Sequence, residues 1–411
     1  MNTRILWILR NIRDIILMPL VCLMPRSQNK ILFGAWDGRQ FSDNPKYFLF
    51  AIQKHYPKKK CYWIGEALLA PILAQVPNVT FVRKGSLRAL WHQLTAKYCV
   101  CNINHWGLPT CRRVTIINLW HGIPYKRIGD RQFNGKGQEE VFVKARGCVR
   151  LFFRNLYFRW DEWLYCQASW TSVSSQKMGD ILCESFPKRF SKERMVMAGL
   201  PRNDFLVQNK GNEALKQQIK QKYALLLNLP LEKKWYLYLP TWRHGEGSAF
   251  SFMTSDNREK YQEMLQAQEA ILIEKQHPIV LKRLNLAGQS QGNLFALSVD
   301  QSAQIDLQEL LLVSDRLITD YSSCFFDFAL LERPCIHFAY DFEEYTQKDS
   351  GAEYDLREIA VGPIVETEQD LLATMRFPDG AILSKRALKW QEPIVGETGS
   401  ASETLLRVMG L

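Results

Sequence analysis

Three short stretches of this chain carry side chains that can bind phosphate or move a proton, and each adjoins an apolar run of strand length. Thr319-Asp320-Tyr321-Ser322-Ser323 precedes an apolar helical stretch, Cys324 to Leu331. At such a helix start the free N–H groups and the helix dipole attract an anion, and serine hydroxyls add donors. The competing reading is plain N-capping by serine. Lys275-Gln276-His277-Pro278 follows the apolar run Ala270 to Glu274, with Lys282 and Arg283 close behind. Pro278 restricts His277 to an extended conformation. An imidazole among cations at a strand end can donate to a diphosphate, although a lone histidine is more often structural. His121-Gly122 closes the strongest strand pattern of the first half, Thr115 to Trp120, and leads into Ile123-Pro124-Tyr125-Lys126-Arg127. Gly122 permits a tight turn or close ligand approach. An imidazole that titrates near neutrality suits a general base, against the alternative of an ordinary turn histidine.

The elements that must position these residues alternate between strand and helix. Ile31 to Ala35, Cys61 to Ile64, Thr80 to Val82, Tyr98 to Cys101 and Thr115 to Trp120 read as strands, with helices such as Lys46 to Lys54 and Leu87 to Lys97 between them. The rhythm resumes at Met195 to Ala198 and continues through Trp235 to Leu239, Ala270 to Glu274, Arg316 to Thr319 and Cys335 to Phe338. Such alternation predicts parallel βαβ units. Two α/β halves with polar residues just past their strand ends suggest two facing Rossmann-like domains, because ligands of such sheets bind at the carboxyl ends of the strands. The expected division is an N-terminal segment 1–26, a first domain 27–205 and a second domain 206–411, with the final helix able to return to the first.

Two segments fall outside that alternation. Near the amino terminus, Ile5, Ile8, Leu9, Ile12, Ile15 and Ile16 share one helical face, while Arg10, Arg13 and Asp14 share the other. The run is too interrupted for a membrane span, which needs about 20 mostly apolar residues. Two readings remain: an amphipathic helix in a membrane interface, or a helix packed on the protein's own core. Residues 139–170 interleave aromatic side chains such as Phe152, Trp160 and Trp163 with Arg146, Arg150, Arg154 and Arg159. That mixture suits a membrane interface, an anionic polymer or single-stranded nucleic acid, and equally a helical insertion with a wet arginine face.

Composition sets the outer bounds. The 411 residues are 46% hydrophobic and 23% charged, which excludes disorder and fibrous repeats. Lys and Arg number 53 against 42 Asp and Glu, a net charge of +11 that favours an anionic partner. Ten cysteines lie mostly in apolar runs without disulfide or zinc spacing, which fits reduced thiols in the cytosol. Dinucleotide, Walker, zinc-protease and nucleophile-elbow motifs are absent.

Taken in order, the motifs resemble the CDP-glycerol glycerophosphotransferase family, which includes teichoic-acid primases and polymerases and related capsule polymerases. The resemblance rests on Trp120-His121-Gly122 with Pro124, Lys126 and Gly129, then Gly199 with Pro201-Arg202-Asn203-Asp204, then Pro240-Thr241-Trp242-Arg243. It continues through His277-Pro278, Thr319 to Ser323 with Phe326-Asp327-Phe328, Arg333-Pro334, and Tyr340-Asp341 with Glu344-Tyr345. It implies a GT-B-like α/β architecture with the active site between the domains. It implies His121 as the base for the acceptor hydroxyl and His277 as a catalytic contact to the donor diphosphate. Ser322 and Ser323 would hold that diphosphate, with Arg243, Thr319 and Asp327 as further donor contacts and Lys126, Arg127 and Arg202 as acceptor contacts. No metal site is readable and no cofactor is required, although a divalent cation is compatible. Ile123 stands where the family usually has a small hydroxyl residue, and Gln276 interrupts a usual Lys-apolar-His-Pro pattern.

The activity so implied is transfer of glycerol phosphate from CDP-glycerol to a lipid-linked or polymeric anionic glycan, with release of CMP, at the cytoplasmic face of a bacterial membrane. A CDP-ribitol transferase would use the same diphosphate groups, and a nucleotide-sugar glycosyltransferase could use the same scaffold. A non-catalytic membrane- or polymer-binding component is the reading from another class; the three strand-end turns speak against it. A nucleic-acid partner is not expected, since no recognised binding module is present.

Overall fold

The computed structural model describes residues 16, 23–103, 114–131, 169–187, 189–241, 249–277, 280, 288–343, 345, 351–377 and 394–410. The expected amphipathic helix (Ile16 and residues 23–26 excepted), the basic-aromatic stretch up to residue 168, and Arg243 lie outside them. The chain divides into two compact units. Met1–His121, Gly137–Arg202 and Ser400–Leu411 make the first; Gly122–Lys136 and Asn203–Gly399 make the second.

In the first unit the strands are β1 (Ser27–Gly34), β2 (Lys60–Gly65), β3 (Val79–Arg83), β4 (Ala96–Cys101), β5 (Thr115–Asn118), β6 (Trp170–Val173) and β7 (Met195–Met197). They form one parallel sheet in the order β3-β2-β1-β4-β5-β6-β7. The central strands read as unbroken apolar runs because helices cover both faces of a parallel sheet. Ile31, Leu32 and Phe33 of β1 are all buried, and Phe33 lies in register with Trp63 and Val100. Helix Asp43–His55 packs Phe48, Leu49 and Ile52 into this core. The order reverses between β1 and β4, so the chain leaves those two strands in opposite directions and opens a crevice at their carboxyl ends.

The second unit repeats the plan. Its strands are β8 (Lys234–Leu239), β9 (Ala270–Glu274), β10 (Ser290–Gln291), β11 (Leu294–Ala296), β12 (Arg316–Thr319), β13 (Cys335–Phe338) and β14 (Ile364–Val365). They are ordered β10-β11-β9-β8-β12-β13-β14, and only the β10–β11 pair is antiparallel. Its reversal falls between β8 and β12. Trp235 to Leu239 and Ala270 to Ile273 are buried throughout.

Several sequence expectations need adjusting. The strand expected over Thr115 to Trp120 stops at Asn118, because Trp120 adopts a left-handed backbone, φ 52°. The helix expected through Lys97 ends at Thr95, and β4 begins at once. The expected second domain, 206–411, is longer than the second unit at its end. Helix Ala401–Met409 buries Leu405, Leu406 and Met409 in the core of the first unit. Residues 122–136 also part from the first domain and group with the second unit. Among the described residues no helix is long and apolar enough to cross a membrane.

One close approach offers a test of the second sheet. A Cβ placed on Gly362 would lie 1.7 Å from the carbonyl oxygen of Cys335 in β13. Backbone cannot yield as a side chain can, so Gly362→Ala should cost about 3 kcal/mol, the upper end of the usual range for overpacking. Urea unfolding would read that loss; a midpoint equal to wild type would show that Gly362 is not packed against β13 as described.

Candidate active site

At the head of the first sheet, four polar side chains satisfy a backbone that no regular element can. Asn102 follows β4 directly. Its Oδ1 accepts from the Trp36 N–H at 2.9 Å, joining the ends of β1 and β4, and its Nδ2 donates to Asp43 Oδ2 at 2.7 Å. Asn44 Nδ2 donates to the carbonyls of Leu119 and Trp120 at 3.1 and 2.9 Å, and its Oδ1 accepts from the Arg202 N–H at 3.0 Å. Asn118 Oδ1 accepts from the Trp120 N–H at 2.9 Å. Arg202 reaches Asp43 Oδ1 at 3.0 Å and the His121 carbonyl at 2.8 Å through one guanidinium nitrogen. Asp43, Asn44, Asn102, Asn118 and Arg202 are all buried.

This web holds a strained backbone in place. Of the eight non-glycine residues with positive φ among the described residues, Trp36, Asp37, Asp43 and Trp120 lie here. Bulky side chains are rarely found in that region, at a cost of roughly 1–3 kcal/mol each. Gly122 follows at φ 135°, where a side chain would be strained.

His121 is half-buried between the rings of Trp120, 4.3 Å away, and Trp36, 5.2 Å away. Its Nδ1 lies 3.5 Å from the Asn102 carbonyl oxygen. A carbonyl only accepts, so the neutral ring is assigned its proton on Nδ1 and its lone pair on Nε2. Burial pushes its proton affinity below the ordinary histidine value; Asp43 and the Asn102 carbonyl oppose that fall, while Arg202 adds to it. The ring is therefore neutral and able to accept a proton near pH 7.

The head of the second sheet is tied by Asp320. Its carboxylate accepts from the Thr241 N–H at 2.8 Å, the Thr241 hydroxyl at 2.7 Å and its neighbour's Tyr321 N–H at 2.6 Å. The Thr319 hydroxyl donates to the Leu239 carbonyl at 2.6 Å. Beneath, buried His337 lies 3.2 Å from the Asp320 carbonyl through Nδ1, and accepts from the Val361 N–H at Nε2. Burial lowers its pKa to about 4, so it is neutral. Ser323 stands at the N-cap position of helix Cys324–Ala329, with no capping bond from its hydroxyl; it and Ser322 are half-buried. At the end of β9, His277 is exposed and Lys275 half-buried. Burial lowers both pKa values, and Lys275 lowers that of His277 further.

Segment 122–131 is anchored within the second unit. Lys126 bridges to Ala352 in β fashion, the Arg127 N–H donates to the Gly351 carbonyl at 3.0 Å, and Arg127 Nε donates to the Ala352 carbonyl at 3.1 Å. Arg131 grips buried Glu353 with two bonds of 2.9 and 2.7 Å. Tyr125 lies over Tyr321, which stacks on Tyr345 at 4.0 Å; Lys126 Nζ sits 5.6 Å from the Tyr345 ring.

The expected site residues therefore divide. His121 and Arg202 lie in the first unit, and Lys126, Arg127, His277, Thr319, Ser322, Ser323 and Asp327 in the second. Thr319 and Asp327 do not present themselves as donor contacts. Both are buried, Thr319 tying a strand end and Asp327 accepting from Gln308 Nε2 at 3.0 Å. Arg202, expected at the acceptor, is buried and engaged with Asp43 and the His121 carbonyl. Asp43, Asn44 and Asn102 were missed. Asn102 follows a strand end like the residues that were found, and Pro45 marks the first turn of the helix that carries Asp43 and Asn44. Among the described residues, no group of three or more His, Cys, Asp or Glu side chains is arranged to hold a metal ion.

Comparison with known proteins gives consistent matches. A family model described as CDP-Glycerol:Poly(glycerophosphate) glycerophosphotransferase matches residues 16–384. The chain is 32% identical over 360 residues to the teichoic acid poly(glycerol phosphate) polymerase of Bacillus subtilis (strain 168), covering 86% of this chain and 44% of that protein. The chain thus spans less than half the length of that relative. It is 28% identical over 395 residues to the teichoic acid glycerol-phosphate transferase of Staphylococcus aureus (strain NCTC 8325 / PS 47), covering 93% of each. A solved structure of the wall teichoic acid polymerase TagF superposes with a TM-score of 0.74 at 25% identity, over 98% of this chain and 96% of that one.

The odd residue Gln276 has a physical counterpart. Its Nε2 donates to Glu274 Oε1 and to the Phe250 carbonyl, each at 2.8 Å. Glu274 Oε2 accepts from the Phe252 N–H at 3.0 Å. Burial nevertheless pushes the Glu274 carboxyl up to about 7. The folded state then holds this proton more tightly than the unfolded chain does, so stability falls as pH rises from about 4.5 through about 7, by at most about 3 kcal/mol. Urea unfolding should show that decline in wild type and a flatter profile in Glu274→Gln. Parallel profiles from pH 4.5 to 8 would contradict it.

Proposed function

The chain belongs to the CDP-glycerol:poly(glycerophosphate) glycerophosphotransferase family, and on that premise we propose that it transfers glycerol phosphate from CDP-glycerol to an anionic polymer acceptor, releasing CMP. The acceptor hydroxyl oxygen attacks the distal phosphorus of the donor. A new P–O bond forms, the bond from that phosphorus to the bridging oxygen breaks, and CMP departs with that oxygen. The hydroxyl proton passes to His121 Nε2. The observation that carries this reading is the neutral imidazole of His121, fixed through Nδ1 with its Nε2 lone pair claimed by no described group.

The donor diphosphate is assigned to the second unit. The Ser322 and Ser323 hydroxyls and the cationic Lys275-His277 end of β9 are its contacts. Positioning and charge stabilisation of this kind supply most of the acceleration in phosphoryl transfer. Glycerol is favoured over ribitol because the family description and the two relatives above, each matched over most of this chain, are named for glycerol phosphate. The net charge of +11 and the apolar-basic pattern of residues 1–26 support work at an anionic membrane surface on the cytoplasmic side, where a lipid-linked acceptor would be met.

Purified protein incubated with acceptor oligomers should release CMP from CDP-glycerol faster than from CDP-ribitol. His121→Ala should lower turnover by about 10²–10⁴-fold with donor affinity little changed. His277→Ala combined with Ser323→Ala should weaken CDP-glycerol binding as read by calorimetry. Faster release from CDP-ribitol would reassign the polyol. No CMP from either donor would leave the chain a polymer-binding component.

A further inference from the structure

Both oxygens of one buried carboxylate lead to His121 through a single intermediary each. Asp43 Oδ1 accepts from an Arg202 guanidinium nitrogen at 3.0 Å, and that same nitrogen donates to the His121 carbonyl at 2.8 Å. Asp43 Oδ2 accepts from Asn102 Nδ2 at 2.7 Å, and the Asn102 carbonyl oxygen is the partner of His121 Nδ1. One route fixes the main chain of the histidine and the other fixes its ring. The neighbouring Asn44 completes the hold by binding the carbonyls of Leu119 and Trp120, the two residues before it. Asp43 itself sits at φ 64°, a strained conformation at the start of helix Asp43–His55. Backbone strain at a residue without a stereochemical need for it is a common mark of functional constraint.

We propose that Asp43 is a positioning residue of the transfer reaction, acting on His121 through Arg202 and Asn102. The inference rests on the reading of His121 as the base. Asp43 does two things that a neutral residue of the same shape could not. It opposes the charge of Arg202, whose guanidinium donates to the His121 carbonyl. Its negative charge also stabilises the imidazolium that forms when the acceptor's proton arrives, as a fixed charge in a dry site does most effectively. Among the described residues, the charged groups acting on the ring are Asp43, from the start of its helix, and Arg202, from helix Pro201–Asn209. From the described strand ends come the Asn102 carbonyl and the rings of Trp36 and Trp120, which carry no charge.

The two charges act on the ring with opposite sign, so their removal must shift it in opposite directions. The full-length protein, labelled with 15N at histidine, is titrated by NMR as wild type, Asp43→Asn and Arg202→Gln. The His121 resonances are assigned from His121→Ala. The His121 midpoint should fall in Asp43→Asn and rise in Arg202→Gln, each by on the order of one pH unit. In turnover assays, Asp43→Asn should lower kcat by about 10–100-fold while KM for CDP-glycerol stays within about threefold. Midpoints that coincide in all three proteins overturn the proposal, as does a kcat in Asp43→Asn equal to wild type. The titration requires no activity. If wild type released no CMP, the functional reading would fail while the opposite shifts still decided whether Asp43 governs this ring. If Asp43→Asn did not fold, Arg202→Gln and Asn102→Ala would decide, since loss of the Asn102 bridge should also lower kcat with KM preserved.

Discussion

The Asp43 carboxylate lies inside the first unit, and its charge has to be met there. A buried carboxylate left unpaired is among the most costly features a fold can carry, and breaking a buried ion pair typically costs about 3–5 kcal/mol. Arg202 meets the charge and Asn102 and the Asn44 N–H complete the donors. Once those partners are fixed, most of the local geometry follows. Arg202 is brought to the head of the sheet at the end of the first unit's second stretch, and Asn102 ties β4 to β1. Residues 119–121 are then held in a conformation that Trp120 would not adopt alone.

The second unit meets the same topological problem with a different residue. Where the winding of a parallel sheet reverses, two adjacent strands end without a common element to continue their hydrogen bonds. In the first unit Asn102 bridges that gap. In the second, Asp320 bridges it by binding both the N–H and the hydroxyl of Thr241, with Thr319 tied to Leu239 and neutral His337 beneath. Ser322 and Ser323 stand two and three residues after the bridging Asp320, and His121 follows Leu119 and Trp120, whose carbonyls Asn44 holds. Rigid support one shell out is what lets a small number of polar groups act with defined geometry.

Much of this was legible in the sequence. Strands β9, β12 and β13 coincide with the apolar runs that announced them, because strands buried on both faces are written as continuous hydrophobic stretches. His121, His277 and the Ser322-Ser323 pair do lie just past strand ends, because strand-end position is a local signal. The engagement of Arg202 with Asp43 is not legible in the sequence, since it spans 159 residues and no local pattern encodes it. Thr319 and Asp327 belong to the motif yet face inward, a distinction set by burial rather than by residue type. Gln276 looked like a defect in a pattern until its bond to Glu274 appeared. The return of helix Ala401–Met409 to the first unit likewise depends on tertiary packing of Leu405 and Leu406, which a helical periodicity alone cannot direct.

The account stands on a neutral imidazole at position 121 taking the acceptor's proton. Chemical rescue tests this most directly. In His121→Gly, the ring is removed and the cavity left can admit imidazole from solution. The account predicts that added imidazole restores CMP release from CDP-glycerol in the presence of acceptor, in proportion to the concentration of its neutral form as pH is varied. Restoration that follows the imidazolium form instead, or undiminished release by His121→Gly without any imidazole, would contradict it.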